Sequence, residues 1–265
     1  MESLLDTVAQ RVENEVGRDF MRKVISLLIA SSHFGITELR LSKLVNNEEE
    51  EKNSSSHMNI FVFLNGLEVF LEHTGTHIQL KSGIYHDILK CKNDMALLKL
   101  YNTTFRFFIL IYFHFFTAKY SSDSRLISEA HRSLADLYQA EYNKCNLVNN
   151  QIDPFILEIL PYHLSVLNDL KLLEETLCHL KFLQACALHP SQLMNLQLHL
   201  NGVYLTSQSL KFRFLNSPKV KAYTAFLQKN QDVLINQPCL TGEPKKFKIF
   251  EKKNLLIDIN IEKIK

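Results

Sequence analysis

Apolar residues recur every three or four positions from Leu4 to Ala30, at Leu5, Val8, Val12, Val16, Phe20, Val24, Leu27 and Leu28, the spacing of one helix face. Gly17 and Asp19 interrupt the run and predict a break into two helices. The string His33-Phe34-Gly35-Ile36-Thr37-Glu38 stops the pattern and restarts it, with Thr37 as the N-cap of a short helix over Leu39 to Val45. From Asn46 to Asn59 the chain carries Glu48 to Glu51 and Ser54 to Ser56, with no apolar residue before Met58, which predicts a solvated loop. An apolar helix over Ile60 to Phe70 follows. Leu71 to Leu80 then alternates on either side of a turn at Thr74 and Gly75, a β-hairpin signal.

Three helices followed by a two-stranded wing is the order of a winged helix, and Ile84 to Cys91 would begin the helix that leaves it. Beyond a mostly apolar stretch, helical spacing resumes over Leu126 to Glu141, Phe155 to Leu188 and Val220 to Leu234. Within it Ile159-Leu160-Pro161-Tyr162-His163-Leu164 opens one helix, with Pro161 in its first turn, and Leu170 to Leu183 forms another. The expected fold class is mainly α: a winged-helix-like module (three helices plus a small β-hairpin) at 1–93, an apolar insert at 94–124, an α-helical array at 125–240 and a poorly ordered basic tail at 241–265.

Composition agrees with helices. Only 7 Gly and 6 Pro among 265 residues leave few of the turns that a sandwich or barrel needs. The net charge of +2 hides an asymmetry: Lys245 to Lys265 holds 7 Lys against 3 acidic residues, so the body alone is slightly acidic and is no general polyanion binder. Five cysteines at wide spacings, with no signal-peptide pattern ahead of the amphipathic start, point to a cytoplasmic chain. Phe107 to Ala118 is almost wholly apolar, but a membrane-spanning helix takes roughly 20 such residues, and extending the run to Met95 brings in Lys99, Asn102 and Arg106. Membrane anchoring through this insert is therefore the lesser alternative.

Motifs for catalysis are missing. No G-x-x-x-x-G-K-[ST] occurs, so nothing cradles the phosphates of a nucleotide, and neither G-x-S-x-G nor H-E-x-x-H is present. His86 and Asp87 are neighbours that a helix would point apart. Cys178, His179, Cys186 and His189 are the nearest approach to a metal set, but they lack paired-ligand spacing and read as packed core thiols and their neighbours. We therefore assign no catalytic, cofactor-binding or metal residue, expect no cofactor, and read the chain as a non-enzyme. As a nucleic-acid reader, the helix Leu39 to Val45 offers only Arg40 and Lys43, beside the acidic run Glu48 to Glu51. The basic tail, with Lys245, Lys246, Lys248, Lys252 and Lys253 near Phe247 and Phe250, reads as solvated.

Several strings resemble the region that follows the ATPase domain in NACHT and WD-repeat proteins, the group that includes telomerase-associated protein. They are Phe34-Gly35-Ile36-Thr37-Glu38, Ile84-Tyr85-His86-Asp87-Ile88-Leu89, Ala130 to Tyr138, Leu160-Pro161-Tyr162-His163-Leu164, Leu172-Leu173-Glu174-Glu175, Leu180 to Ala185, and Phe226 to Asn230 with Asp232-Val233-Leu234 and Pro238. The resemblance covers most of residues 1 to 240. It implies a region between an ATPase module and a WD propeller, in proteins that switch between closed and assembled forms on nucleotide exchange, and hence protein partners and a scaffolding or regulatory role. Met95 to Ser124 and Lys245 to Lys265 depart from that pattern. Their richness in Phe, Ile, Asn and Lys is what translated AT-rich intron would give.

Overall fold

The computed structural model describes residues 2–45, 55–80, 115–121, 123–145 and 152–235. The expected helix from Ile84 to Cys91, residues 107–114 of the apolar stretch and the tail from Lys245 lie outside them. The described chain is mainly helical with one small three-stranded antiparallel sheet, and it divides into two compact units, Met1–Leu134 and Ala135–Lys265.

In the first unit the break at Gly17 is real. Helix α1 spans Glu2–Val16 and α2 spans Arg18–Ala30, and Gly17 between them takes a φ of 87°, a region that favours glycine. Its N–H donates to Glu13 O at 2.8 Å and its carbonyl accepts from Met21 N at 3.1 Å, so one residue ends a helix and begins the next. Strand β1 (Ile36–Thr37) leads into α3 (Glu38–Val45), where Thr37 Oγ1 accepts from Arg40 N at 3.3 Å, the predicted cap. The strand itself is unforeseen.

Helix α4 covers Ser55–Gly66 and a 3-10 turn covers Glu68–Phe70. The loop expected over Asn46 to Asn59 is thus corrected for Ser55 to Asn59, which are helical. Buried Ile60 and Phe63 anchor the helix, and serine is well tolerated where a helix starts. The helix also stops at Gly66, short of the expected Phe70.

Strands β2 (Leu71–Thr74) and β3 (His77–Leu80) form the predicted hairpin, with Gly75 at a φ of 63°, as the first position of a two-residue turn requires. Sheet order is β1-β3-β2. Ile36 pairs with Ile78 and Thr37 with His77, and Leu71 pairs with Leu80 across the hairpin. Gly35, at a φ of 75°, lets the chain enter β1, because a Cβ there would lie 3.0 Å from His77 Cβ.

Residues 115–120 are helical and complete this core. Phe116 and Tyr120 are buried; Phe116 meets Phe70 edge-on, with centroids 5.4 Å apart. Tyr120 Oη donates to Glu13 Oε2 at 2.8 Å, Ser121 Oγ and Ser26 Oγ share a buried hydrogen bond of 2.9 Å, and Lys119 pairs with Asp6. The end of the apolar insert therefore belongs to the first unit. The division between the two compact units falls inside helix α5 (Ser124–Lys144).

The second unit joins the latter part of α5 to α6 (Pro154–Val166), α7 (Leu170–Leu177), α8 (Leu180–Ala187), α9 (Pro190–Leu200), α10 (Gln208–Leu215) and α11 (Pro218–Ile235). Helix α6 starts at Asp153, whose carboxylate accepts from Phe155 N at 3.0 Å, with Pro154 in the first turn. Pro161, expected in the first turn of a helix opening at Ile159, lies inside this earlier-starting helix instead. A mid-helix proline removes one backbone donor; the segment stays helical because both flanks are buried, and Pro161 O accepts from Ser165 Oγ at 2.8 Å. The α6 C-terminus closes on Asn168, at a φ of 55°, with Asp169 N donating to Leu164 O at 3.1 Å. Asp169 then caps α7 by accepting from Leu172 N at 3.1 Å. At the α7–α8 corner, Lys181 Nζ donates to Tyr142 O at 2.9 Å and Cys145 O at 2.5 Å, covering the last carbonyls of α5.

The close approach of α1 to α4 at Gly66, where an added Cβ would collide with Val12 Cγ2, generates a test. Gly66→Ala gains helix propensity yet should lower stability by about 1–2 kcal/mol, because a β-branched side chain has little room to yield. Val12→Ala alone should also destabilise, by leaving a cavity. The double variant should be more stable than the sum of the two losses predicts; strictly additive urea-unfolding losses would count against the clash.

Candidate functional site

Helix α4, Ser-Ser-His-Met-Asn-Ile-Phe-Val-Phe-Leu-Asn-Gly, has no Asp, Glu, Lys or Arg, and its large apolar residues are divided between core and solvent. Ile60 and Phe63 face the core, with Phe63 edge-on to Phe20 of α2 at a centroid separation of 6.4 Å. Met58 and Phe61, one turn apart on the same side, are 61% and 59% exposed. Val69 in the following 3-10 turn and Leu39 at the start of α3 are exposed to 70% and 66%. The second unit also exposes large apolar side chains, at Leu188, Met194, Leu198, Val203 and Phe212, and single ones are ordinary; Met58 and Phe61 differ in being neighbours on one uncharged helix face.

Helix α3, which holds the candidate nucleic-acid reader Leu39 to Val45, buries Leu41, Ser42 and Val45 and exposes Leu39. The missed signal was the spacing of Met58 and Phe61 against Ile60 and Phe63: four large apolar residues within six positions cannot all face one core.

The other candidates fall elsewhere. Cys178 ends α7, His179 precedes α8, Cys186 lies within α8 and His189 precedes α9. Among the described residues no group of three or more His, Cys, Asp or Glu is placed to hold a metal ion. Burial pushes the Cys178 thiol up to about 12, and burial likewise raises Cys186, which is wholly inaccessible. Both are protonated thiols rather than thiolates. His179 Nδ1 instead lies 3.2 Å from Tyr142 Oη, a hydrogen bond at the α7–α8 corner. His86 and Asp87 lie outside the described residues.

Pro161, Tyr162 and His163 sit on α6. His163 is fully buried and stacks on Tyr138 of α5, with centroids 5.9 Å apart and planes at 6°, while Tyr162 meets Tyr204 edge-on at 5.7 Å. These aromatics hold helices together. In the first unit His131 is nearly inaccessible, and burial pulls its imidazole down to about 4. No helix among the described residues is long and apolar enough to cross a membrane. Comparison with family models, curated proteins and solved structures gives no match to this chain.

Two expectations follow from the buried titratable groups. At pH 8, mass-mapped alkylation of the native protein should leave the buried Cys186 unmodified and label the half-buried Cys178 more slowly than in denaturant, where both react. Cys186 alkylated as fast natively as when unfolded would overturn its assignment as a core thiol. For His131 the folded imidazole stays neutral down to about 4 while the unfolded one ionises near 6.5. Its contribution is therefore present above pH 6.5 and lost as pH falls towards 4, by up to roughly 3 kcal/mol. Unfolding titrations should show His131→Gln with a shallower loss of stability across that window than the unsubstituted chain; equal slopes would contradict it.

Proposed function

We propose that this chain is a non-catalytic protein-interaction and regulatory module, a winged-helix-like unit followed by a helical array, of the kind that lies between the ATPase domain and the WD propeller of NACHT and WD-repeat proteins. The observation that carries the reading is the exposed, uncharged face of α4 with Met58 and Phe61. The winged-helix part is supported by the order α2-β1-α3-α4-β2-β3 and by the central place of β3 between β1 and β2. A nucleic-acid reader draws its affinity from Lys and Arg on phosphates, and α4 brings none. Protein partners gain instead from burying Met and Phe, each worth about 1.5–3 kcal/mol when fully covered.

The tests separate surface from setting. Met58→Asp with Phe61→Asp should leave the unfolding midpoint nearly unchanged, since neither side chain is in the core. In cells, proximity labelling from this double variant should lose the neighbours that the unsubstituted chain marks, as expected when about 2 kcal/mol or more of binding is removed. An unchanged set of neighbours, or steeply salt-dependent nucleic-acid binding by the purified protein, would sink the proposal. Long-read transcripts test the setting: P-loop and WD exons joined on either side are expected, and a transcript confined to this region would instead leave a separate adaptor.

A further inference from the structure

We draw no further inference here: the strongest candidate, the cavity of about 240 Å3 between the first turn of α7 and the α10–α11 corner, is rimmed by Lys171, Arg213 and Lys219 together with Glu174 and Glu175, and nothing in the structure points to a ligand of either charge.

Discussion

The contact between α1 and α4 at Gly66 sets the rest of the first unit. Helix α4 carries no charge, so solvation alone gives little preference for which side turns inward. The missing side chain at Gly66 favours one side, because α4 lies so close to Val12 of α1 there that an added Cβ would collide with it. Once that side is docked, Ile60 and Phe63 point inward and Met58 and Phe61 must point out. The buried row and the exposed row are one decision. The exposed face is thus a geometric consequence of the core, not a local failure of packing.

In the second unit the joints do comparable work. Asn168 takes the left-handed conformation that ends α6, and Asp169 immediately caps α7. Gly202, at a φ of 62°, ends α9, with Val203 N donating to Leu198 O at 3.2 Å and Gly202 N to His199 O at 2.9 Å. Each joint satisfies carbonyls that the helix end would otherwise leave bare. Lys181 does the same for α5 from another helix, and its ammonium also lies 4.6 Å from the Tyr142 ring centroid, so one side chain supplies a cap and a cation–π contact. Short helices of eight residues are marginal alone, and such joints fix the angle at which each meets its neighbour.

Much of this was legible in the chain. The break at Gly17, the Thr37 cap, the hairpin on Gly75 and the helical spacing of the array all follow from local signals, which is why they could be read. Strand β1 could not be: two residues show no alternation, and Ile36 owes its extended state to Ile78, some forty residues away. Pro161 misled because a proline signals a first turn locally, whereas Asp153 and Pro154 start the helix and the buried apolar flanks carry it through. The site was harder still. Periodicity identified α4 as apolar, but which of its apolar residues remain in water depends on α1, a non-local fact.

That dependence also bears on how such a surface would recognise a partner. A charged face steers its partner from a distance and loses its grip in salt. A face made of Met58 and Phe61 has no long-range pull, so association would run at the unsteered rate of roughly 10⁵–10⁶ M⁻¹s⁻¹, and discrimination would fall on dissociation. Methionine suits this, because its flexible thioether adapts to irregular pockets, while phenylalanine supplies a rigid anchor. Orientation then has to come from the scaffold beneath. The docking of Gly66 on Val12 and the edge-on packing of Phe63 on Phe20 hold α4 in place, so a partner would meet a preformed helix face and lose less conformational entropy in docking on it.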